Sequence, residues 1–438
     1  MPKPCESKLL KSRTALAAFV LLVVGCGSSA PDSSPTPGSA GTPGGAGTAA
    51  SAGAPSSSGG SPNSSAGAPN NGGAPSNGGA TNRAGASSGG GTTNSAGAPS
   101  SGGATTSAGA GGAATGGAAT GDLWIAPDGS DSNAGTEAKP LQSLVTALAR
   151  QTAGSTIWIK PGTYKYTAAI ELKKTGSAAK PFTIAAAPGG RPVIDFETPA
   201  GVRGFDIGGD YWHLVGFEVE NASDNCVAIS GSNNTIEQLT IHNCGDTGLQ
   251  ITVGSAQVAD ATRGANNLIL NCDSYENFDP ATGGENADGF AAKLRIGAGN
   301  VFRGCRSYNN ADDGWDFFAA DDVVVIDGCW AFSNGKGVNG SNPAGDGNGF
   351  KLGGKPTSAG EGGAVHLVKN SFAFENLTCG YTQNSNPDVP KLTGCGAKDN
   401  KTDYCQTLSQ SGAVSMSMTA AQAKAAPRNA DGSLPPMK

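Results

Sequence analysis

The sequence is short of what a protein core needs: 6% of its 438 residues are aromatic and 15% are charged. The shortage is local. Between residues 27 and 120 there is no Val, Ile, Leu, Met, Phe, Tyr or Trp, and Asp32 and Arg83 are the only charges. Such a tract cannot bury enough apolar surface to offset the entropy of ordering it, which excludes one uniform globular protein. Histidine is scarce as well, since His213, His242 and His366 are the whole set. No Cys-x-x-Cys pair occurs among the ten cysteines, so a structural zinc site is not expected. Excess basic charge is also missing. Setting aside the five basic and two acidic residues of the first 120, residues 121–438 carry 24 basic and 33 acidic side chains, a net of -9. That excludes nucleic acid as the expected partner. It also opposes any polyanionic substrate unless a bound cation neutralises several carboxylates.

What is present begins with a leader. Lys3, Lys8, Lys11 and Arg13 precede an apolar run over 15–24 that is too short for a permanent membrane span and has the layout of a secretory signal. The run closes on Val-Val-Gly-Cys, which is similar to the bacterial lipobox. The similarity implies removal of residues 1–25 and lipid on Cys26, with Gly27 compatible with export to the outer membrane or cell surface. Residues 26–120 then vary Ser-Ala-Gly-Ala-Pro and Asn-Gly-Gly-Ala, and read as a disordered tether. As a flexible coil its root-mean-square span is roughly 50 Å. Residues 121–438 hold 25 of the 26 aromatics and form the folded domain, expected as a monomer. Export permits disulfides, and a bridge is expected only among Cys379, Cys395 and Cys405.

The domain repeats. Short β-branched and apolar runs recur at 212–219, 235–241, 267–270, 300–302, 323–326 and 365–368, separated by Asn, Asp and Gly. Periods of a few tens of residues point to stacked coils. Anchoring on cysteine aligns Cys-Asp-Ser-Tyr-Glu-Asn (272–277), Cys-Arg-Ser-Tyr-Asn-Asn (305–310), Cys-Trp-Ala-Phe-Ser-Asn (329–334) and Ser-Phe-Ala-Phe-Glu-Asn (371–376). In a parallel β-solenoid equal positions stack about 4.8 Å apart, so Asn277, Asn310, Asn334 and Asn376 form a structural ladder and the thiols fill a narrow interior. The expected architecture is all-β, a parallel β-solenoid with short capping helices near 140–150 and 419–425.

A second alignment carries the chemistry: Asp-Gly-Phe-Ala-Ala-Lys-Leu (288–294), Asp-Gly-Trp-Asp-Phe-Phe (313–318) and Asn-Gly-Phe-Lys-Leu (348–352). Period-two alternation sends Phe290, Trp315 and Phe350 inward, and Ala291, Asp316 and Lys351 outward on one column. Asp288, Asp312 and Asp313 fall beside them. Carboxylates this close repel by about 1–3 kcal/mol per pair at a surface-like dielectric. Oxygen ligands without histidine or thiol suit a hard cation such as Ca2+. The plain alternative is that Asp-Gly merely makes turns. One coil from a divalent cation, the Lys351 pKa is expected to fall, which provides an amine base. A base beside calcium suits proton removal from C5 of a uronic acid, followed by loss of the 4-linked sugar.

At these residues the sequence resembles the pectate lyases of polysaccharide lyase family 9. The resemblance runs over most of residues 124–438 and is most specific in Asn-Cys-Asp-Ser-Tyr-Glu-Asn (271–277), Gly-Glu-Asn-Ala-Asp-Gly-Phe-Ala-Ala-Lys-Leu (284–294), Asp-Asp-Gly-Trp-Asp (312–316) and Gly-Asn-Gly-Phe-Lys-Leu-Gly-Gly (347–354). It implies a right-handed parallel β-helix, calcium held by Asp288, Asp312, Asp313 and Asp316, Lys351 as the catalytic base, and polygalacturonate or pectin as substrate. Lys293, Arg295, Arg306 and Lys355 lie near the cluster in sequence and are candidates for holding substrate carboxylates. Three rivals stand beside this reading: a pectin hydrolase, a lyase on rhamnogalacturonan or alginate, and a non-catalytic carbohydrate-binding solenoid. The hydrolase pattern needs a Gly-His-Gly and an Arg-x-Lys that are not found here.

Overall fold

The computed structural model describes residues 121–253, 264–336, 343–354 and 363–437. Cys26 and Lys355 lie outside them. Among the described residues every strand pairing is parallel, and the strands sort into one 11-stranded and two nine-stranded sheets, built from every third strand once the first, Leu123–Ile125, has paired with the next in sequence. Each coil therefore gives one strand to each of three sheets, which is a parallel β-helix. One inward column of the 11-stranded sheet runs Ile157, Ile184, Leu214, Ile236, Ile269, Phe302, Ile326, Val368, Leu392 in continuous register, and all nine are buried. Helix Leu144–Arg150, capped by Ser143, buries Leu144, Ala147 and Leu148 in the same core as first-coil Leu123 and Ile125.

Two kinds of corner set the coil. Asn271, Gly304, Gly328, Asn370 and Gly394 all have φ between 49° and 66°, and each directly precedes a member of the interior column Cys272, Cys305, Cys329, Ser371, Cys395. Only Gly and Asn tolerate that left-handed geometry cheaply, which explains the Gly-Cys and Asn-Cys pairs. The second corner is the asparagine ladder. Nδ2 of Asn277, Asn310, Asn334 and Asn376 each donates to Oδ1 of the next asparagine at 2.8, 3.0, 3.0 and 2.9 Å, so Asn400 extends the column by one coil.

The ladder explains a motif. A Cβ at Gly248, Gly289, Gly314, Gly349 or Gly380 would lie 2.8–2.9 Å from Nδ2 of Asn277, Asn310, Asn334, Asn376 or Asn400 respectively. Glycine follows Asp288, Asp313 and Asn348 because the ladder leaves no room for a side chain there. One coil earlier, Cys226 holds the glycine position and Cys244 the head of the ladder, with its N–H donating to Asn277 Oδ1, and these two cysteines are bridged. This corrects the expectation of a single bridge among the last three cysteines. Cys379–Cys405 does form, but Cys226 and Cys244 also occupy facing positions in one corner, with Cα atoms 5.5 Å apart.

Candidate functional site

The site grows out of one sheet. Strands Leu249–Ile251, Phe290–Ala292, Trp315–Asp316, Phe350–Lys351 and Cys379–Thr382 are successive neighbours in it. Register pairs Phe290 with Trp315 and Trp315 with Phe350, while Ala291 pairs with Asp316 and Asp316 with Lys351. The inward rings are fully buried and stack at centroid distances of 5.0 and 4.8 Å. That stack fixes the level of each coil, and so the height at which Asp316 and Lys351 emerge. Trp315 and Phe350 are core.

Beside the strands, Asp288, Asp312 and Asp313 are buried and bring carboxylate oxygens within 4.8 Å of one another. Each is held by donors. Asp288 Oδ1 accepts from the Asp313 N–H at 3.2 Å, and its Oδ2 from Thr247 Oγ1 at 3.0 Å. Both oxygens of Asp312 accept backbone N–H groups, from Asn286 at 2.9 Å and Asp346 at 2.6 Å. Asp313 Oδ1 accepts from Asn348 N and Nδ2 at 2.7 and 2.9 Å. Asp316 Oδ1 accepts from the Phe318 N–H at 2.9 Å. The alignment did not assign roles to Thr247 and Asn348. Both stand in the pre-glycine column with Asp288 and Asp313, which is the signal that could have found them.

Two lysines close the cluster. Lys351 Nζ lies 3.1 Å from Asp313 Oδ2, 3.2 Å from Asp346 and 3.9 Å from Asp316. Lys293 Nζ lies 3.0 Å from Asp288 Oδ2 and 3.4 Å from Asp316 Oδ2. A groove over them is lined by Glu285, Asn286, Lys293, Leu294, Asp316, Phe318 and Lys351.

Burial, with Asp316 and Asp312 adding to it against the pull of Lys293, pushes Asp288 up to about 8. Burial likewise carries Asp313 far above the usual carboxylate range, with the Asp312 charge reinforcing it, and raises Asp312. These carboxylates want more positive charge than the two lysines give. Asp313 Oδ2 is buried with no aligned hydrogen-bond donor, although the Lys351 ammonium is close by. An all-oxygen set with one unsatisfied carboxylate oxygen fits a hard divalent cation. For Lys351, burial disfavours the charged form, but Asp316, Asp313, Asp288 and Asp312 outweigh it and hold the pKa above the ordinary lysine value. The expected fall therefore depends entirely on a cation's charge.

The other candidates fall elsewhere. Arg306 sits on the third sheet, where its guanidinium is taken by Asp273 at 2.8 Å through both oxygens and by the carbonyls of Ala423 and Ala426. Proximity in sequence to the aspartates does not make it part of their groove. Arg295 pairs with Asp321 at 3.2 Å.

The sequence matches the family model described as Pel9A-like, right handed beta helix region, over residues 123–418. It is 41% identical over 293 residues to Pectate lyase L of Paenibacillus polymyxa, covering 64% of each chain. To Pectate lyase L of Dickeya chrysanthemi it is 38% identical, covering 60% of this chain and 61% of that one. The chain thus spans less than two thirds of the length of either relative. Among solved structures, pectate lyase Pel9A superposes with a TM-score of 0.62 at 32% identity, over 72% of this chain and 87% of that one. A rhamnogalacturonan lyase superposes with the same score at 25% identity, over 72% and 94%. With its parallel coils and the family's model matched across most of the described domain, the chain belongs to the Pel9A-like right-handed β-helix family.

Proposed function

We propose that the chain is a calcium-dependent lyase that cleaves 1,4-linked galacturonan by β-elimination, with Lys351 as the base. The observation that carries this reading is the Lys351 amine beside a buried carboxylate cluster, 3.1 Å from the unsatisfied oxygen of Asp313. Asp288, Asp312, Asp313 and Asp316 would hold Ca2+, which when bound supplies positive charge that neutralises a uronate carboxylate and makes its C5 proton more acidic. Lys351 takes that proton on Nζ. The C5–H electron pair becomes the C4=C5 double bond, the C4–O4 bond breaks, and the departing oxygen takes a proton from water. Asn348 and Thr247 keep the aspartates in place throughout.

The pH dependence has a definite sign. The aspartates hold Lys351 protonated, so base strength is available toward alkaline pH and only with the cation present. Polygalacturonate treated with the protein in calcium is expected to gain the ultraviolet absorbance of an unsaturated uronate. Full activity in chelator, or in Lys351→Ala, would sink the assignment. The superposition on a rhamnogalacturonan lyase supports a second reading in which the same chemistry acts on another uronate polymer. A substrate panel with mass analysis of the products separates the two. Reducing ends without ultraviolet absorbance would mean hydrolysis instead. The reading includes cell-surface attachment through lipid on Cys26, supported by Val-Val-Gly-Cys. Cys26→Ser is expected to release the protein from membranes, and unchanged membrane retention would exclude the anchor.

A further inference from the structure

Lys293 does not behave like a side chain waiting for substrate. It is 8% exposed, follows strand Phe290–Ala292 directly, and turns its ammonium to the floor of the groove. There it meets Asp288 Oδ2 at 3.0 Å and Asp316 Oδ2 at 3.4 Å. Asp288 Oδ2 is shared with the Thr247 hydroxyl, so two donors meet two carboxylate oxygens and the four residues come from three successive coils. A buried ammonium is strongly disfavoured unless carboxylates compensate it, and these two supply that compensation.

The charges of the cluster then balance in a specific way. Counted as the carboxylates a cation would hold ionised, the buried Asp288, Asp312, Asp313 and Asp316 contribute four negative charges, and Lys293 and Lys351 return two, the Asp346 carboxylate beside Lys351 being 62% exposed and left to solvent. What remains is matched by one divalent ion. Without Lys293 the remainder would be three, and the oxygens of Asp288 and Asp316 that face the lysine would be free to ligate.

We propose that Lys293 is a resident counter-cation of the calcium site: a positioning residue that shares Asp288 and Asp316 with the ion, holds those carboxylates at a fixed separation, and keeps the cluster to one exchangeable divalent cation. The proposal rests on the calcium reading given above. It predicts that removing the lysine tightens cation binding, whereas a lysine that merely props the fold would weaken binding when lost.

The test is direct titration of the full chain with calcium by calorimetry, with terbium luminescence as a second probe of the same site. Lys293→Met and Lys293→Gln are expected to bind calcium about tenfold more tightly than the unmodified protein, as loss of one nearby like charge requires. Lys293→Arg, which keeps the charge, is expected to stay at the original affinity. In chelator the neutral variants should melt at lower temperature than the unmodified protein, and calcium should raise their melting point by more. Equal or weaker calcium affinity in both neutral variants overturns the proposal. Should neither fold, Lys293→Met combined with Asp316→Asn restores the charge balance and is expected to fold and bind one calcium; its failure also overturns the proposal. If the unmodified protein binds no calcium at all, the lyase reading fails first, which separates that failure from this one.

Discussion

At the scale of single residues, the site is an argument about where charge is allowed to sit. A lysine on an ordinary strand points to water, and nothing in the sequence around Lys351 says otherwise. Its meaning comes from the register that sets Asp316 beside it and from Asp313 at 3.1 Å. Alternation along Asp-Gly-Trp-Asp and Asn-Gly-Phe-Lys was enough to place Asp316 and Lys351 on one outward column, because inward Trp315 and Phe350 leave no other arrangement. Alternation could not place Lys293 or Arg306. Both lie within a few residues of aligned motifs, yet Lys293 folds back onto the carboxylates while Arg306 faces a different sheet altogether. Side-chain reach and the identity of the sheet decide such cases, and neither is written in local spacing.

At the scale of the element, the coil is legible wherever its corners demand a particular residue. Left-handed corners show as Gly or Asn before the cysteine column, and the ladder shows as asparagine at a constant offset. The bridge between Cys226 and Cys244 was not legible, because the glycine and the asparagine that face each other in this corner elsewhere are both replaced, on successive coils, and the repeat looks absent. The ladder itself yields a prediction. Asn310 donates to Asn334 Oδ1 at 3.0 Å and to Ser307 Oγ at 2.9 Å, and accepts from Asn277 Nδ2 at 2.8 Å, all in the buried interior. Asn310→Ala removes these side-chain bonds and leaves a gap in the ladder, while the Asn277 amide keeps Ser274 Oγ and the Asp288 carbonyl and Asn334 Oδ1 keeps the backbone N–H of residue 310, so the expected cost is about 1–3 kcal/mol in all. Asn310 sits three residues before Asp313 in the same coil, so calcium affinity is expected to fall together with the urea midpoint. A variant as stable as the unmodified protein would show that the ladder follows from the coil and does not hold it.

At the scale of the whole domain, the sheet that carries Asp316 and Lys351 bears a groove, whereas the third sheet is covered by residues 416–437. Helix Ala420–Ala425 and the residues around it lie over an outer row of Tyr308, Trp330, Phe332, Phe372 and Phe374, with Met416 and Ala423 packed against them. An aromatic row of that kind, left bare, is an association hazard. The strap is pinned at several points, among them the Ala420 N–H on Glu375, Lys424 on Glu276 and a charged cluster around Asp273. Asp273 takes the Arg306 guanidinium at 2.8 Å and Arg428 at 2.5 Å, while Arg428 also reaches the carbonyls of Gly304 and Cys272. Burial alone would raise the Asp273 pKa, but the hydrogen bonds from Arg306 and the charges of both arginines outweigh it and hold the carboxyl below its ordinary value. Because the folded value is the lower one, this stabilisation is present above the ordinary carboxylate pKa and is lost as pH falls through the depressed one. Removing the carboxylate takes the counter-charge from two part-buried guanidiniums, which keep only carbonyl acceptors, and Asp273→Ala is expected to cost on the order of 3 kcal/mol. It should also open the strap before the coils unfold, so that proteolysis cuts between residues 414 and 437 and a hydrophobic dye binds the uncovered row. The coils carrying Asp288, Asp313 and Lys351 are tied to one another by their own ladder and stacked rings, so calcium binding should survive in the cut protein. If calcium binding disappears along with the strap, the third sheet and the sheet carrying Lys351 are one cooperative unit, and the strap helps to hold the site as well as to cover the aromatic face.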